Sequence, residues 1–348
     1  MIARRSTPED VRWAYSLLLG REPEDPRALI VRATQYPDRL QMVLSFMHSL
    51  EFRYRTNGRQ YPSVDASVID EFWCNGLTGQ SGFVTDFLGG RTRISVSPGA
   101  AALDGEIEGL PIPENFFGTL PEWTAALSGV RIAAQAGGTR FCCVEVGAAW
   151  GPWLVATSLA ARARGFKEFR LIGAEAAPEL CARLKMHAED NGFAATEVSV
   201  RNVAVLRAEG MAAFPTASGL ASGVNSRAEL LTAPEAPREG QLVVPAITLA
   251  SLIADEGQVD LLVVSVNGDE LDVLSTANLN SSQIRTMMVV TQDLDTDAGL
   301  WRIMSEAGWR NAVASPCRLK QDLHYAPIVR TEQAGCQLWI NPAALPLR

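Results

Sequence analysis

The chain has 348 residues, 47% hydrophobic and 20% charged, which is globular composition and enough length for more than one folded unit. Lys plus Arg total 31 against 39 Asp plus Glu, and a net charge of −8 disfavours a general nucleic-acid binder. No apolar run is long enough for a membrane span, and residues 1–10 lack an apolar signal core, so a cytoplasmic protein is expected. The six cysteines (Cys74, Cys142, Cys143, Cys181, Cys317 and Cys336) form no CxxC pair and read as free thiols. The three histidines (His48, His187 and His324) have no ligand spacing, so no metal site is expected.

Residues 1–60 carry three helical signals. Thr7-Pro8-Glu9-Asp10 supplies an N-cap, a proline at the first helical position and an acid three residues on. Val11, Ala14, Tyr15 and Leu18 then share a face, and Gly20 is a stop. Asp25-Pro26 restarts a helix through Leu29, Ile30 and Ala33. Pro37-Asp38 starts a third, with Leu40, Val43, Leu44 and Met47 on one face. These stripes are expected to bury together in a three-helix array. His48 reads as a surface helix residue. Residues 1–59 hold ten basic and seven acidic side chains, a mildly basic arm suited to an acidic glycan or a protein partner. The stretches YSLLLGREPEDP (15–26) and VLSFMHSLEF (43–52) resemble a small helical domain of unknown function that recurs in bacterial cell-surface and glycan-assembly proteins.

Residues 61–135 are richer in Gly and Pro. Residues 86–105 read as one or two short strands with turns, and 109–118 as a structured loop. Residues 119–134 look helical, with Leu120, Trp123, Ala126, Leu127 and Val130 on one face. The segment reads either as a cap packed on the following domain or as an ordered spacer.

From 136 to 348, strand and helix signals alternate, which implies a doubly wound α/β unit with a mostly parallel sheet. Strands are expected at 141–146, 169–174, 198–205, 259–266 and 284–291, and near 309–315 and 337–340. Helices are expected after Pro152, from Pro178 to a stop at Asn191-Gly192, and at 248–255, 268–274 and 301–308.

The chemistry-bearing pattern is Glu145-x-Gly147-x-x-x-Gly151, after one strand and before a helix. Glycines there let backbone approach a ligand, and the helix N-terminus behind offers N–H groups. Glu175 ends the next strand, 28 residues after Gly147, where an acid can accept both hydroxyls of a ribose. The spacing favours an S-adenosylmethionine pattern over the Gly-x-Gly-x-x-Gly of NAD enzymes, which leaves a dehydrogenase as a distant third reading. A tight strand–helix connection with no ligand is the bland alternative.

Four blocks in order complete the pattern: VEVGAAWGPWLVA (144–156), LIGAEAAPELCARLKMHAEDNGF (171–193), NVAVLRAEGMAAFP (202–215) and VPAITLASLIADEGQVDLLVVSVNGDELDVL (244–274). Together they resemble the FkbM family of S-adenosylmethionine-dependent methyltransferases. FLGGRTRIS and GLPIPENF upstream resemble the leader of a subgroup tied to bacterial glycan biosynthesis. The resemblance implies a class I methyltransferase fold, a seven-stranded Rossmann-like sheet with its final strand reversed, and O-methylation of a sugar or polyketide hydroxyl. It implies that Glu145, Gly147, Ala148 and Gly151 form the cofactor turn, with Glu145 beside the amino-acid portion of the ligand. Glu175 would hold the ribose, and Asn202 and Ala204 would lie near the adenine.

The acceptor side departs from the family. Ser265-Val266-Asn267-Gly268 replaces Asp-Val-Glu-Gly, and Thr291-Gln292-Asp293 replaces Thr-His-Ser. Asp269, Glu270 or Asp293 is then the candidate base, and Ser265 or Asn267 would orient a hydroxyl. For Glu270, a helix-dipole acid is the favoured reading. Two functions follow. One is an O-methyltransferase acting on a sugar hydroxyl of a bacterial glycan or related metabolite. The other is a catalytically weakened binding or scaffold module in polysaccharide assembly.

Overall fold

The computed structural model describes residues 5–23, 25–36, 38–47, 49, 51–52, 67–96, 98–107, 116–215, 228–231, 241–321 and 329–345. Pro37, His48, His324 and most of the loop expected at 109–118 lie outside the described residues. The chain divides into two compact units, Met1–Pro62 with Asp70–Leu120, and Ser63–Ile69 with Pro121–Arg348.

In the first unit, helix α1 (Pro8–Ala14) is capped reciprocally. Thr7 Oγ1 accepts the Asp10 amide at 3.2 Å, and the Thr7 amide donates to the Asp10 carboxylate at 3.0 Å. The chain then widens into a π-turn, Tyr15–Leu19, closed by Gly20 at φ +66°. The wider turn shifts the phase of the apolar stripe, so Leu19 is buried and Leu18 only partly so. Helix α2 (Pro26–Gln35), capped by Asp25, buries Leu29 and leaves Ile30 exposed. Helix α3 (Arg39–Met47) corrects the expected face: Met42 and Phe46 are buried, while Leu40, Leu44 and Met47 are exposed. The reason is aromatic. Phe46 meets Tyr15 edge-on at 4.8 Å, with the Arg32 guanidinium 4.5 Å from its ring centre, and a ring buries more surface than the leucines it displaces. Two short antiparallel strands, β1 (Phe83–Thr85) and β2 (Arg91–Arg93), are joined through Asp86, whose carboxylate accepts the Leu88 and Gly90 amides.

The second unit opens with α4 (Leu120–Ala136) and β3 (Arg140–Val146). Next come α5 (Pro152–Ala163), β4 (Glu168–Glu175), α6 (Pro178–Asp190) and β5 (Val198–Asn202). Four strands follow: β6 (Ala204–Val205), β7 (Gly210–Pro215), β8 (Glu229–Leu230) and β9 (Gln241–Ile247). Then come α7 (Leu249–Leu252), β10 (Val259–Val264), α8 (Glu270–Leu274), β11 (Ile284–Thr291), α9 (Leu294–Glu306) and β12 (Arg310–Ser315). A hairpin, β13 (Arg318–Gln321) with β14 (Val329–Gln333), precedes β15 (Gly335–Ile340).

Seven strands form one sheet in the order β12-β15-β11-β10-β3-β4-β5. β15 runs antiparallel to both β11 and β12, and the other pairs are parallel. The fold is thus an α/β doubly wound, mostly parallel sheet. The strand sequence reverses between β3 and β10, which leaves a crevice beyond their C-terminal ends.

Both faces are covered, which explains why β10 is apolar at every position but Asp260. On one face Cys142, Val144, Leu262, Val264, Met287 and Val289 pack with residues of α7, α8 and α9. On the other, Gly129 of α4 lies so near β10 that a Cβ would stand 3.0 Å from Leu261. Cys143 meets Thr157 of α5 on that same face.

Other expectations differ in this unit: the helix foreseen at 301–308 starts earlier, at Leu294, behind its Asp293 cap. The strand foreseen at 198–205 is two strands. Val203 bends the chain, its amide donating to Glu175 O, and β6 leaves to pair with β9 through Ala204 and Ala246. A second sheet, β6-β9-β7-β8, results, with a small core of Ala204, Leu206, Ala212, Val244 and Ala246.

Candidate active site

The crevice between β3 and β10 holds a cavity of about 780 Å³, part of it open to solvent. Its walls come from the turn after β3 (Gly147, Ala149), the end of β4 (Ala174–Ala177), the bend after β5 (Val203–Leu206), the second sheet (Phe214, Ala228, Leu242) and the turn after β10 (Ser265, Val266, Asn267, Asp269).

The two turns touch. Gly147 has φ +72°, and a Cβ there would overlap the Ser265 carbonyl, so only glycine fits. Its amide and that of Ala148 both donate to Ala174 O at 3.0 Å, which ties the turn to β4. Ala149 and Asn267 are the only non-glycine residues with positive φ among the described residues, at +45° and +56°. Both line the cavity, and strain of this kind gathers at functional sites.

The predicted cofactor residues divide into wall and support. Gly147, Glu175 and Ala204 face the cavity; Glu145, Ala148, Gly151 and Asn202 are not part of its wall. Glu145 is buried and accepts the Leu154 amide at 2.8 Å, with the Trp153 amide also on it. It thereby takes up first-turn N–H groups of α5, which has no side-chain cap at Gly151. Burial pushes Glu145 up to about 8; the Leu154 and Trp153 amides pull it down, and the Glu175 charge adds to the rise. Gly151, φ +74°, serves packing: a Cβ would stand 2.8 Å from Leu184 Cγ of α6. Asn202 donates to the Glu175 and Ala176 carbonyls at 3.1 and 2.6 Å, which fixes the end of β4.

Glu175 accepts the Ala149 amide on one oxygen and the Ala177 amide on the other, each at 2.8 Å. Burial raises its pKa, opposed by these amides. The Ala176 amide also bears on it, and the carboxylate keeps acceptor capacity for a ligand hydroxyl.

On the opposite side, Ser265, Asn267 and Asp269 form the wall. One Asp269 oxygen accepts the Ala228 amide at 3.3 Å. Glu270 is fully buried and turns back to accept the Val266 and Gly268 amides, which locks the turn that carries Asn267. Asp293 caps α9, accepting from the Thr296 amide at 2.7 Å and its hydroxyl at 2.9 Å, and is not on the cavity wall.

Leu206, Phe214 and Leu242 went unforeseen as wall residues. Leu206 follows a strand of only two residues, and Pro215 and Pro245 interrupt the alternation that would have marked the other two. The cavity therefore joins an apolar flank, suited to a flat ring, to carboxylates at Glu175 and Asp269, suited to hydroxyls and positive charge. Among the described residues no His/Cys/Asp/Glu cluster fits a metal ion, and no helix is long and apolar enough to cross a membrane.

No family model matches the chain. A protein of Jannaschia sp. (strain CCS1), named as a candidate methyltransferase, is 32% identical over 248 residues, spanning 69% of this chain and 86% of that protein. Among solved structures, a precorrin-6y C5,15-methyltransferase from Geobacter metallireducens GS-15 has TM-score 0.35 at 10% identity, over 66% of this chain and 92% of the other. A ribosomal protein L11 methylase from Lactobacillus delbrueckii subsp. bulgaricus has TM-score 0.34 at 14% identity, over 68% and 84%. Similarity at that level transfers no residue roles; the strand order of the sheet itself defines the fold.

Proposed function

The chain belongs to the family of the Jannaschia candidate methyltransferase, and from that premise we propose that it is an S-adenosylmethionine-dependent O-methyltransferase of FkbM type. Its acceptor is a sugar hydroxyl of a bacterial glycan or related metabolite, modified in the cytoplasm. The observation that carries this reading is the cavity at the switch point, with Gly147 and Glu175 on one side and Ser265, Asn267 and Asp269 on the other.

The residues present suit the cofactor. Glu175 keeps acceptor capacity for a ribose hydroxyl, Gly147 presents bare backbone, and Ala204 with Val203, Val205, Phe214 and Leu242 offers an apolar bed for a purine. When bound, S-adenosylmethionine supplies a methyl group on a sulfonium, open to in-line attack. Glu145, Ala148, Gly151 and Asn202 hold the shape of this half from behind. On the acceptor half, Asp269 takes the hydroxyl proton, and Ser265 and Asn267 orient the attacking oxygen. Asp293 assists only through α9, which it caps.

A second reading, a weakened module acting as a scaffold in polysaccharide assembly through the N-terminal helices, draws support from one observation. Glu270 and Asp293 both spend their carboxylates on backbone amides, which leaves Asp269 as the acid on the acceptor side of the wall.

Calorimetric titration with S-adenosylmethionine tests the first reading. Binding should appear with the unaltered protein and weaken more than tenfold in Glu175→Ala. No heat with the unaltered protein sinks the proposal. Binding without methyl transfer to any cell-envelope glycan extract selects the scaffold.

A further inference from the structure

His187 is buried on α6, one helix away from the turn it serves. A histidine in that position loses hydration, so its polar atoms need a reason to be there. Its Nδ1 lies 3.2 Å from the Trp150 carbonyl, within the turn after β3. A carbonyl only accepts, so Nδ1 carries the proton and donates. Burial pushes the group down to about 4, against the pull of the Trp150 and Gly151 backbone, and the ring is neutral at physiological pH. The same ring stands edge-on to the Trp150 indole, with centres 5.0 Å apart.

That turn needs holding. Gly147, Ala149 and Gly151 all have positive φ, and Ala149 has a Cβ that resists it. Inside the turn, the Gly151 amide donates to Ala148 O at 2.6 Å. From outside, the Ala174 carbonyl holds the Gly147 and Ala148 amides, and two side chains hold the rest: Glu175 on the Ala149 amide and His187 on the Trp150 carbonyl. Both belong to one strand–helix unit, β4 with α6, and they seize the turn at adjacent residues by opposite polarities. Glu175 is also the group that a ligand's hydroxyls would engage, so its hold on Ala149 is shared once a ligand enters. The hold from His187 is not.

We infer that His187 is a positioning residue for the cofactor turn, which it keeps in its left-handed shape through the Trp150 carbonyl so that Gly147 and Ala149 are set for binding before the cofactor arrives. The inference rests on reading the cavity as an S-adenosylmethionine site. It assigns to His187 a share of affinity through preorganisation, with no contact to the ligand.

The test uses the full chain and two near-isosteric changes. Asparagine places its amide nitrogen the same number of bonds from Cβ as Nδ1 of histidine, so His187→Asn keeps the donor. His187→Leu puts a methyl group there. Affinity for S-adenosylmethionine is measured by calorimetry, and hydrogen exchange of the 149–151 amides is followed in the ligand-free protein. His187→Leu should weaken binding about tenfold and speed exchange in the turn, and His187→Asn should restore both to within about threefold. Equal affinity and equal exchange in His187→Leu overturn the inference, as does failure of His187→Asn to differ from His187→Leu. If His187→Leu does not fold, His187→Ala is read in the same two assays. If the unaltered protein binds no S-adenosylmethionine, the cofactor reading falls. Exchange then decides His187 alone: faster turn exchange rescued by asparagine upholds the clamp, and unchanged exchange removes it.

Discussion

The turn after β3 and the turn after β10 face one another across the cavity, and they solve one problem by different means. Each carries a non-glycine residue in the left-handed region, Ala149 in one and Asn267 in the other. Each is fastened by a carboxylate that accepts backbone amides. In the second turn the fastener is local, because Glu270 sits two residues past Gly268. In the first it is remote: Glu175 comes from the next strand, His187 from the next helix, and Glu145 braces α5 from behind. A locally fastened turn keeps its shape if its surroundings loosen. A remotely fastened one reports the packing of a whole strand–helix unit, and a ligand that engages Glu175 is coupled to that unit.

The largest effect should come where the two turns meet. Gly147→Val forces a Cβ into the Ser265 carbonyl and a branched residue into φ +72°. A loss of about 3 kcal/mol or more in urea-induced unfolding is expected, with S-adenosylmethionine binding abolished. A stable variant that still binds would mean the turns are not braced against each other.

A smaller effect isolates the remote brace. A carboxyl with a higher pKa folded than unfolded binds more protons in the folded state between those values. The contribution of Glu145 is therefore complete below about 4.5 and is lost as pH rises toward 8. Glu145→Gln keeps an oxygen for the Leu154 amide and never ionises. It should match the unaltered protein near pH 4.5 and become increasingly the more stable of the two as pH rises toward 8. Asp86, pushed up to about 7 by burial, slopes the same way, so the difference between the two proteins is the quantity to plot. Parallel stability curves across this range would remove Glu145 as the titrating brace.

The smallest effect compares the two strained residues directly. Asn tolerates the left-handed region better than Ala. Ala149→Gly should raise stability by about 1 kcal/mol, and Asn267→Gly should change it by less than about half of that. Thermal unfolding of the pair, read side by side, gives the order. Equal gains would show that the local fastener relieves no more strain than the remote one.

Much of the fold was legible along the chain because its causes are local. The apolar runs at 141–146, 259–266 and 284–291 are bounded by polar turns and became β3, β10 (which ends at Val264) and β11. Thr7 and Asp25 cap helices as their spelling indicates. Gly147 and Glu175 met at one cavity because a strand–turn–helix–strand unit of that spacing leaves them little choice. Three things were not legible. The buried face of α3 depended on Arg32 and Tyr15, one and two helices away. The second sheet depended on pairing Ala204 with Ala246, across two interrupted strands. The destinations of the polar side chains depended on which amides stood nearby.

The sequence by itself determined the alternation of strands and helices, the glycine turn and the acid beyond it, since each follows from periodicity and backbone freedom over a few residues. Only the tertiary structure decided that Glu145, Asn202 and Asp293 serve backbone groups while Glu175, Ser265, Asn267 and Asp269 face the cavity. A carboxylate or amide goes to whichever unsatisfied donors and acceptors the packing leaves within about 3 Å, and those come from segments that the sequence does not bring together.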